Sequence, residues 1–485
     1  MSASLNLNED LVRSVVAEVL QTFVRNGATP ATSAAPQILT PAKRPGVFTD
    51  VAAACAAAQA AQLKLLAGGI AARAKVIEIV KTLCTQNAEI WGKFEFNETK
   101  IGRLAHKVEK LQIVKLVPGV EWLRPDARSG DHGITLEEFT PFGVIAAILP
   151  MTHSIPTLSG NIINIVAAGN SVVFNPHPGG AKSAALAVAA FNEAIKAETG
   201  IENLVCTIET PSLDSFDALC AAPEVKMICV TGGPAVVAAA MKSGKRAVCA
   251  GPGNPPVLVD DTVCVDKAAR DIIAGGAFDN NLLCIGEKEV FVLDSVADKF
   301  MAALGRNGAH QLNTAQFERL TAAAFTNSPD AGGCSHPVLN RAFVGLDAAT
   351  LAGHAGTSAP ANTEMLFAEC DALHAYVIEE QMMPVLPIVR VNSIEEGIRA
   401  ALAAEHGYKH SAIIHSLNVD RMTAMARALD TTLFVKNGPS TAGLGLGGEG
   451  YLSYSIATTT GEGITTPRTF TRTRRCVMVD QLRIY

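Results

Sequence analysis

F-D-N-N-L-L-C-I-G-E-K-E, residues Phe278 to Glu289, sets a cysteine on a polar segment with little in it to favour a helix. Gly275 and Gly276 precede it, and the apolar run Glu289–Leu293 follows with the composition of a strand. Cys284 therefore stands on a connection that leads into a sheet, where a thiol can face a substrate. The plainer alternative is a small buried hydrophobe, the ordinary place of a free cysteine. The segments on either side decide between the two.

Upstream, from Gly143, short apolar runs alternate with helical ones. Strands are expected at Val144–Leu149, Ser171–Phe174, Leu204–Ile208, Val225–Val230 and Ala247–Ala250. Helices are expected at Leu158–Ala168, Ala181–Ala197, Leu213–Ala221 and Ala235–Lys242. That alternation predicts a largely parallel, doubly wound sheet with ligand sites at the strand C-termini. Thr231-Gly232-Gly233-Pro234 makes a tight turn into a helix, where backbone N–H groups can meet a phosphate. A second α/β unit is expected from about Pro255 to Gly461, with Cys284 near its start. Before the first sheet, Asp50 is expected to cap a helix at Val51–Leu66, and one helical region covers Ala72–Phe94. Residues 98–116 read as helical, and a β-hairpin arm is placed at about 128–142. The C-terminal run Thr469–Tyr485 is β-rich and suited to be an arm for a neighbouring subunit.

The first residues form a separate piece. Leu7, Leu11, Val15, Val19 and Phe23 recur every four residues, with Val12, Val16 and Leu20 widening the stripe and Asn8 as a cap. So wide an apolar face on a short helix needs something to cover it. Asn26–Pro45, with four prolines among Ala and Thr, reads as a flexible linker.

Composition narrows the function classes. With 48% hydrophobic and 18% charged residues and a net charge of −6, the chain has no basic excess for nucleic acid. Mean hydropathy is positive, yet no apolar run approaches the roughly 20 residues of a membrane helix. Eleven cysteines without a C-x-x-C pair imply reduced thiols in the cytoplasm, and no secretory leader pattern opens the chain. His406 and His410 stand four apart but lack the H-E-x-x-H glutamate, and Gly407 weakens the helix such a site needs. No metal is expected.

Nine blocks now stand in order: A-A-G-N-S-V-V-F-N-P-H-P (167–178), T-G-G-P (231–234), G-P-G-N-P-P (251–256), the Cys284 stretch, E-Q-M-M-P-V-L-P (380–387), F-V-K-N-G-P-S (434–440), G-G-E-G (447–450), T-G-E-G (460–463) and T-F-T-R-T-R-R-C (469–476). From Val47 to Tyr485 this set resembles the aldehyde dehydrogenase superfamily, and most of all the CoA-acylating acetaldehyde and propionaldehyde dehydrogenases of bacterial microcompartments. Leu283 stands where that pattern has proline, and Gly286 where it has alanine. The resemblance implies an α/β fold of two doubly wound domains with a β-arm for oligomerisation. It divides the chain into an encapsulation-type helix (1–24), a linker (25–46), an NAD- and CoA-binding domain (47–254), a catalytic domain (255–462) and an oligomerisation arm (463–485). It makes Cys284 the nucleophile and Glu380 the carboxylate that bonds the nicotinamide-side ribose. Pro176 and His177 fall on the adenosine side, and Thr231, Gly232 and Gly233 beside the pyrophosphate. The related oxyanion pattern, P-x-T-N-P, is here Pro150-Met151-Thr152-His153-Ser154, so Thr152 or the His153 ring N–H takes the donor's place, with the Cys284 backbone N–H as second donor.

The implied reaction runs through a thioester on Cys284 with NAD as oxidant and coenzyme A as acyl acceptor. Hydrolytic relatives carry a carboxylate base for water in an E-L-G-G-K pattern. The corresponding stretch, Cys249-Ala250-Gly251-Pro252-Gly253-Asn254, contains no acid, and Cys249 reads as a packing residue. A CoA thiol needs less help, because thiols have a pKa of roughly 8.5 and thioester exchange is nearly balanced in energy. The implied partners are a small aldehyde, CoA, a shell protein met through the N-terminal helix, and further copies of the chain as dimer or tetramer. The implied location is the cytoplasm, inside a microcompartment. Two rivals stand beside this reading: a hydrolytic dehydrogenase releasing free acid, and an inactive cargo or scaffold protein. NAD against NADP and acetaldehyde against propionaldehyde stay open.

Overall fold

The computed structural model describes residues 44–329 and 335–482. The expected N-terminal helix and nearly all of the linker lie outside these residues. Two parallel sheets dominate. The first runs Val47–Phe48, Val205–Ile208, Ser171–Pro176, Val144–Leu149, Val225–Thr231, Arg246–Ala250 from edge to edge. The second runs Ala309–Gln311, Met365–Glu369, Val385–Val391, Glu289–Leu293, Pro256–Val259, Ser411–His415, Leu433–Lys436. Every neighbouring pair in both is parallel.

The continuous apolar strands have a direct cause. Alternate side chains of Val144–Leu149 enter different cores: Ile145, Ala147 and Leu149 pack on one face, Val144, Ala146 and Ile148 on the other. The central strand of the second sheet divides likewise, with Val290 and Val292 on one side and Phe291 and Leu293 on the other. A strand covered on both faces has no polar side to show.

Most expected elements form within a few residues of their sequence limits, and the exceptions have local reasons. The helix expected at Leu158 begins at Ser154, because Pro156 falls in the first turn, where a missing N–H costs nothing. The single helical region over Ala72–Phe94 is two helices, Gly69–Gln86 and Ala88–Thr99, broken at Asn87, whose side chain bonds back to the Leu83 carbonyl. Asp50 caps Val51–Ala67 by accepting from the Ala53 N–H at 2.7 Å. The helix expected over 98–116 is Leu104–Gln112 with a 3-10 turn, Ile113–Leu116, after it.

The hairpin at Asp126–Gly130 and Gly133–Pro141 is present and gains a third antiparallel strand, Thr471–Val479, from the C-terminal run. No helix among the described residues is long and apolar enough to cross a membrane. All ten cysteines among them are free.

Candidate active site

Four strands of the first sheet end at one place. Leu149, Pro176, Thr231 and Ala250, their last residues, line a cleft of about 600 Å³. This is the carboxyl edge, where open α/β sheets leave room for ligands. All nine residues singled out from the sequence line this cleft: Thr152, His153, Pro176, His177, Thr231, Gly232, Gly233, Cys284 and Glu380. They come from positions more than 200 residues apart, so tertiary structure alone gathers them.

Cys284 follows a backbone few sequences adopt. Asp279, Asn280 and Asn281 are consecutive left-handed residues, with φ of 50°, 56° and 63°. Aspartate and asparagine tolerate that region because their short side chains bond locally. Asn281 Nδ2 donates to the Gly276 carbonyl at 2.7 Å and the Glu287 carbonyl at 2.8 Å. Asn280 Nδ2 donates to the Gly345 carbonyl at 2.9 Å and to Asp347 Oδ1 at 2.8 Å. The fully buried Lys288 donates to the Asn281 carbonyl at 2.9 Å. A coil held this way presents Cys284 at a fixed point.

The sulfur is half-buried yet enclosed enough that burial pushes its pKa up to about 12. The Glu380 charge raises it further, while Lys288 and the backbone N–H groups of Cys284 and Ile285 pull it down. The resting site therefore holds a thiol. Burial also holds the Glu380 carboxyl above the usual range, offset in part by Lys288 and by the Gly253 N–H. Glu380 follows the short helix Ala375–Ile378 and faces the cleft. It is not freely solvated.

His153 is buried, and its Nδ1 has no partner among the described residues. Burial first, then the Lys110 and Lys107 charges, hold its pKa well below the usual histidine value. It is a neutral imidazole, able to donate from one ring nitrogen only. Thr152 contributes its carbonyl to those same lysines, Lys107 at 2.6 Å and Lys110 at 3.3 Å. His177 spends Nδ1 on the Gly179 N–H at 3.0 Å, closing its own turn and leaving the rest of the ring exposed.

Nucleotide phosphates suit the Thr231–Gly233 end. An added Cβ would meet no atom within 4 Å at Gly233, and at Gly232 only Val230 at 3.9 Å. The open space leaves the backbone at the start of the helix Pro234–Lys242 within reach of an anion.

The Cys249–Asn254 stretch is tightly packed at Gly253. A Cβ there would stand 2.7 Å from the Cys284 carbonyl oxygen and 2.8 Å from the His410 ring. Cys249 is fully buried in the core. On the other side of Cys284 a narrow hollow of about 30 Å³ is lined by His153, Lys110, Leu283, Leu452, Tyr454 and others. Arg341, Met382 and Tyr454 also border the main cleft. The sequence reading missed them, as it missed Lys107 and Lys110: Met382 lies in the 380–387 block but carries no polar group to single it out, and the others lie in no recognisable block. The D-N-N run was the one local signal of a special backbone.

A family model described as "Aldehyde dehydrogenase family" matches residues 45–450. The acetylating acetaldehyde dehydrogenase EutE of Salmonella typhimurium is 43% identical over 441 residues, 90% of this chain and 93% of that protein. A propionaldehyde dehydrogenase from the Clostridium phytofermentans fucose utilisation bacterial microcompartment superposes with a TM-score of 0.87 at 43% identity, covering 91% of this chain and 100% of the other. A Rhodopseudomonas palustris propionaldehyde dehydrogenase, solved with bound CoA and an acylated cysteine, gives 0.87 at 42% identity, covering 91% and 99%.

Proposed function

The chain belongs to the aldehyde dehydrogenase family, and we infer that it is a CoA-acylating member. It oxidises a short-chain aldehyde, propionaldehyde or acetaldehyde, with NAD and passes the acyl group to coenzyme A. One observation carries this reading beyond the family. Glu380 is the only carboxylate among the described residues lining the cleft that holds Cys284. A hydrolytic enzyme needs a base to activate water, and the segment where relatives carry it has no acid.

In this reading the Cys284 sulfur bonds to the aldehyde carbon as the thiol proton passes to solvent water entering the open cleft. The new oxyanion is met by the Cys284 backbone N–H and by a donor from Thr152 or His153. Bound NAD supplies the hydride acceptor. Glu380 orients the ribose nearest the chemistry, Thr231–Gly233 hold the pyrophosphate, and Pro176 and His177 border the adenosine. Loss of hydride leaves a thioester on Cys284. The residue then gives up its acyl group to the CoA thiol, and its own sulfur is restored. CoA carries an adenosine diphosphate like that of NAD, so one groove serves both in turn.

Residues 47–254 are assigned to nucleotide binding, 255–462 to catalysis and 463–485 to oligomerisation. Support for an arm comes from Thr471–Val479, where Val477, Met478 and Val479 are exposed apolar residues on a strand that pairs on one side. The apolar stripe Leu7–Phe23 is assigned to a shell protein, which puts the enzyme inside a microcompartment.

The test is NADH formation from C2–C4 aldehydes with and without CoA, with the product identified. Acyl-CoA as product is expected; free acid formed at the same rate without CoA would overturn the reading.

A further inference from the structure

Four charged side chains lie together beneath the cleft, none more than 1% exposed: Glu95, Lys107, Lys110 and Asp279. Buried charges are costly unless paired, and these are paired. Lys107 Nζ donates to Glu95 Oε1 at 3.2 Å, Lys110 Nζ donates to Asp279 Oδ2, and Lys107 lies 3.8 Å from the same Asp279 oxygen. The formal charges cancel.

What the cluster grips is more telling than how it balances. Both ammonium groups donate to the Thr152 carbonyl. Glu95 Oε2 accepts the Ile155 N–H at 2.9 Å. The stretch 152–155 is thus held at each end with His153 between, at the start of the helix Ser154–Ala167. On its other side Asp279 accepts the Arg103 N–H at 2.8 Å and donates its own N–H to His106 Nδ1 at 2.8 Å. Asp279 begins the left-handed run that ends three residues before Cys284. Tyr454, which borders both the cleft and the hollow, donates its hydroxyl to the Lys110 carbonyl. One cluster therefore touches both the candidate oxyanion donor and the nucleophile's support.

We propose that Lys107 and Lys110, working with Glu95 and Asp279, are positioning residues that hold the Thr152–His153 turn in register with Cys284. The proposal rests on the reading above, in which an aldehyde adds to that cysteine. An oxyanion donor serves only if it is already aimed where the charge develops. The two lysine charges also act on His153 in the direction that keeps its ring neutral.

The test uses the full-length chain. Lys107→Met removes one clamp on the Thr152 carbonyl but leaves acids underpaired. The double variant Lys110→Met with Asp279→Asn removes one charge of each sign and keeps a residue that tolerates the left-handed backbone. Stopped-flow NADH release in the first turnover reads acylation of Cys284, and steady-state kinetics read the KM for NAD. A misplacement of about 1 Å costs roughly 100-fold in rate, so acylation in the double variant should fall by about that factor with the KM for NAD within about twofold. A folded double variant acylating within about threefold of wild type overturns the proposal. So does a KM for NAD that rises in step with the lost rate, which would mark general damage to the site. If Lys107→Met does not fold, the double variant decides alone. A wild-type chain that forms no NADH from any aldehyde overturns the dehydrogenase reading itself; a competent wild type beside an unimpaired double variant overturns only the clamp.

Discussion

Alkylation of Cys284 by iodoacetamide in the absence of ligands should be slow, and should grow faster with every unit of pH. Burial pushes this thiol up to about 12, so its thiolate fraction at pH 8 is roughly 1 in 10,000, against about a quarter for an ordinary thiol near 8.5. A more basic thiolate is a better nucleophile, and a Brønsted slope of about 0.45 over about 3.5 units returns roughly 40-fold. The net expectation is a rate some 60-fold below that of glutathione at pH 8, to order of magnitude. Because the folded value lies above the working range, the rate should climb about tenfold per unit from pH 7 to 9, with no plateau below about pH 10. Mass spectrometry of the peptide carrying Cys284 separates its signal from the exposed Cys264 and Cys476. Two variants check the causes. Lys288→Met removes a charge that lowers the value and should slow alkylation; Glu380→Gln removes one that raises it and should speed alkylation. An inflection between pH 7 and 9 in the wild-type profile would refute the argument that enclosure keeps the thiol protonated.

Cys284→Ala should abolish aldehyde oxidation while NAD binding by calorimetry persists, and more than about a thousandth of wild-type kcat remaining would remove this residue as nucleophile. Glu380→Gln should raise the KM for NAD or lower kcat through loss of a charged acceptor for a ribose hydroxyl; both unchanged would end its assignment to the ribose. His177→Asp should weaken NAD and CoA together through repulsion with their phosphates, and CoA should compete with NAD for the free enzyme with parallel double-reciprocal plots. Simultaneous occupancy by both ligands in calorimetry would defeat the shared groove. Removing residues 1–24 should leave catalysis intact and reduce self-association in light scattering; lost activity with unchanged association would contradict a docking role for that segment.

Wherever the chemistry is local, the amino-acid order sufficed. Strands buried on both faces are almost wholly apolar, so Val144–Leu149 and, after its first residue Glu289, the strand Glu289–Leu293 stand where hydrophobicity puts them. Asp50 caps its helix because the capping bond spans three residues. Cys284, Glu380 and the Thr231–Gly233 turn sit in blocks whose order marks the family. Boundaries such as Ser154 and Asn87 slipped because a proline in a first turn lacks an N–H that no bond there needs, and Asn87 bonds to a carbonyl a turn away, neither of which a periodicity weighs.

The site's electrostatics belong to the tertiary structure. Lys107 and Lys110 look in the sequence like the solvated face of a helix. They are buried because Glu95, Asp279 and the Thr152 carbonyl converge on them from segments up to 169 residues away in the chain. The raised thiol of Cys284, the neutral ring of His153 and the lack of room at Gly253 arise in the same way. Each depends on how much water and which charges stand near an atom, and those distances exist only once the two sheets and the segments between them have packed.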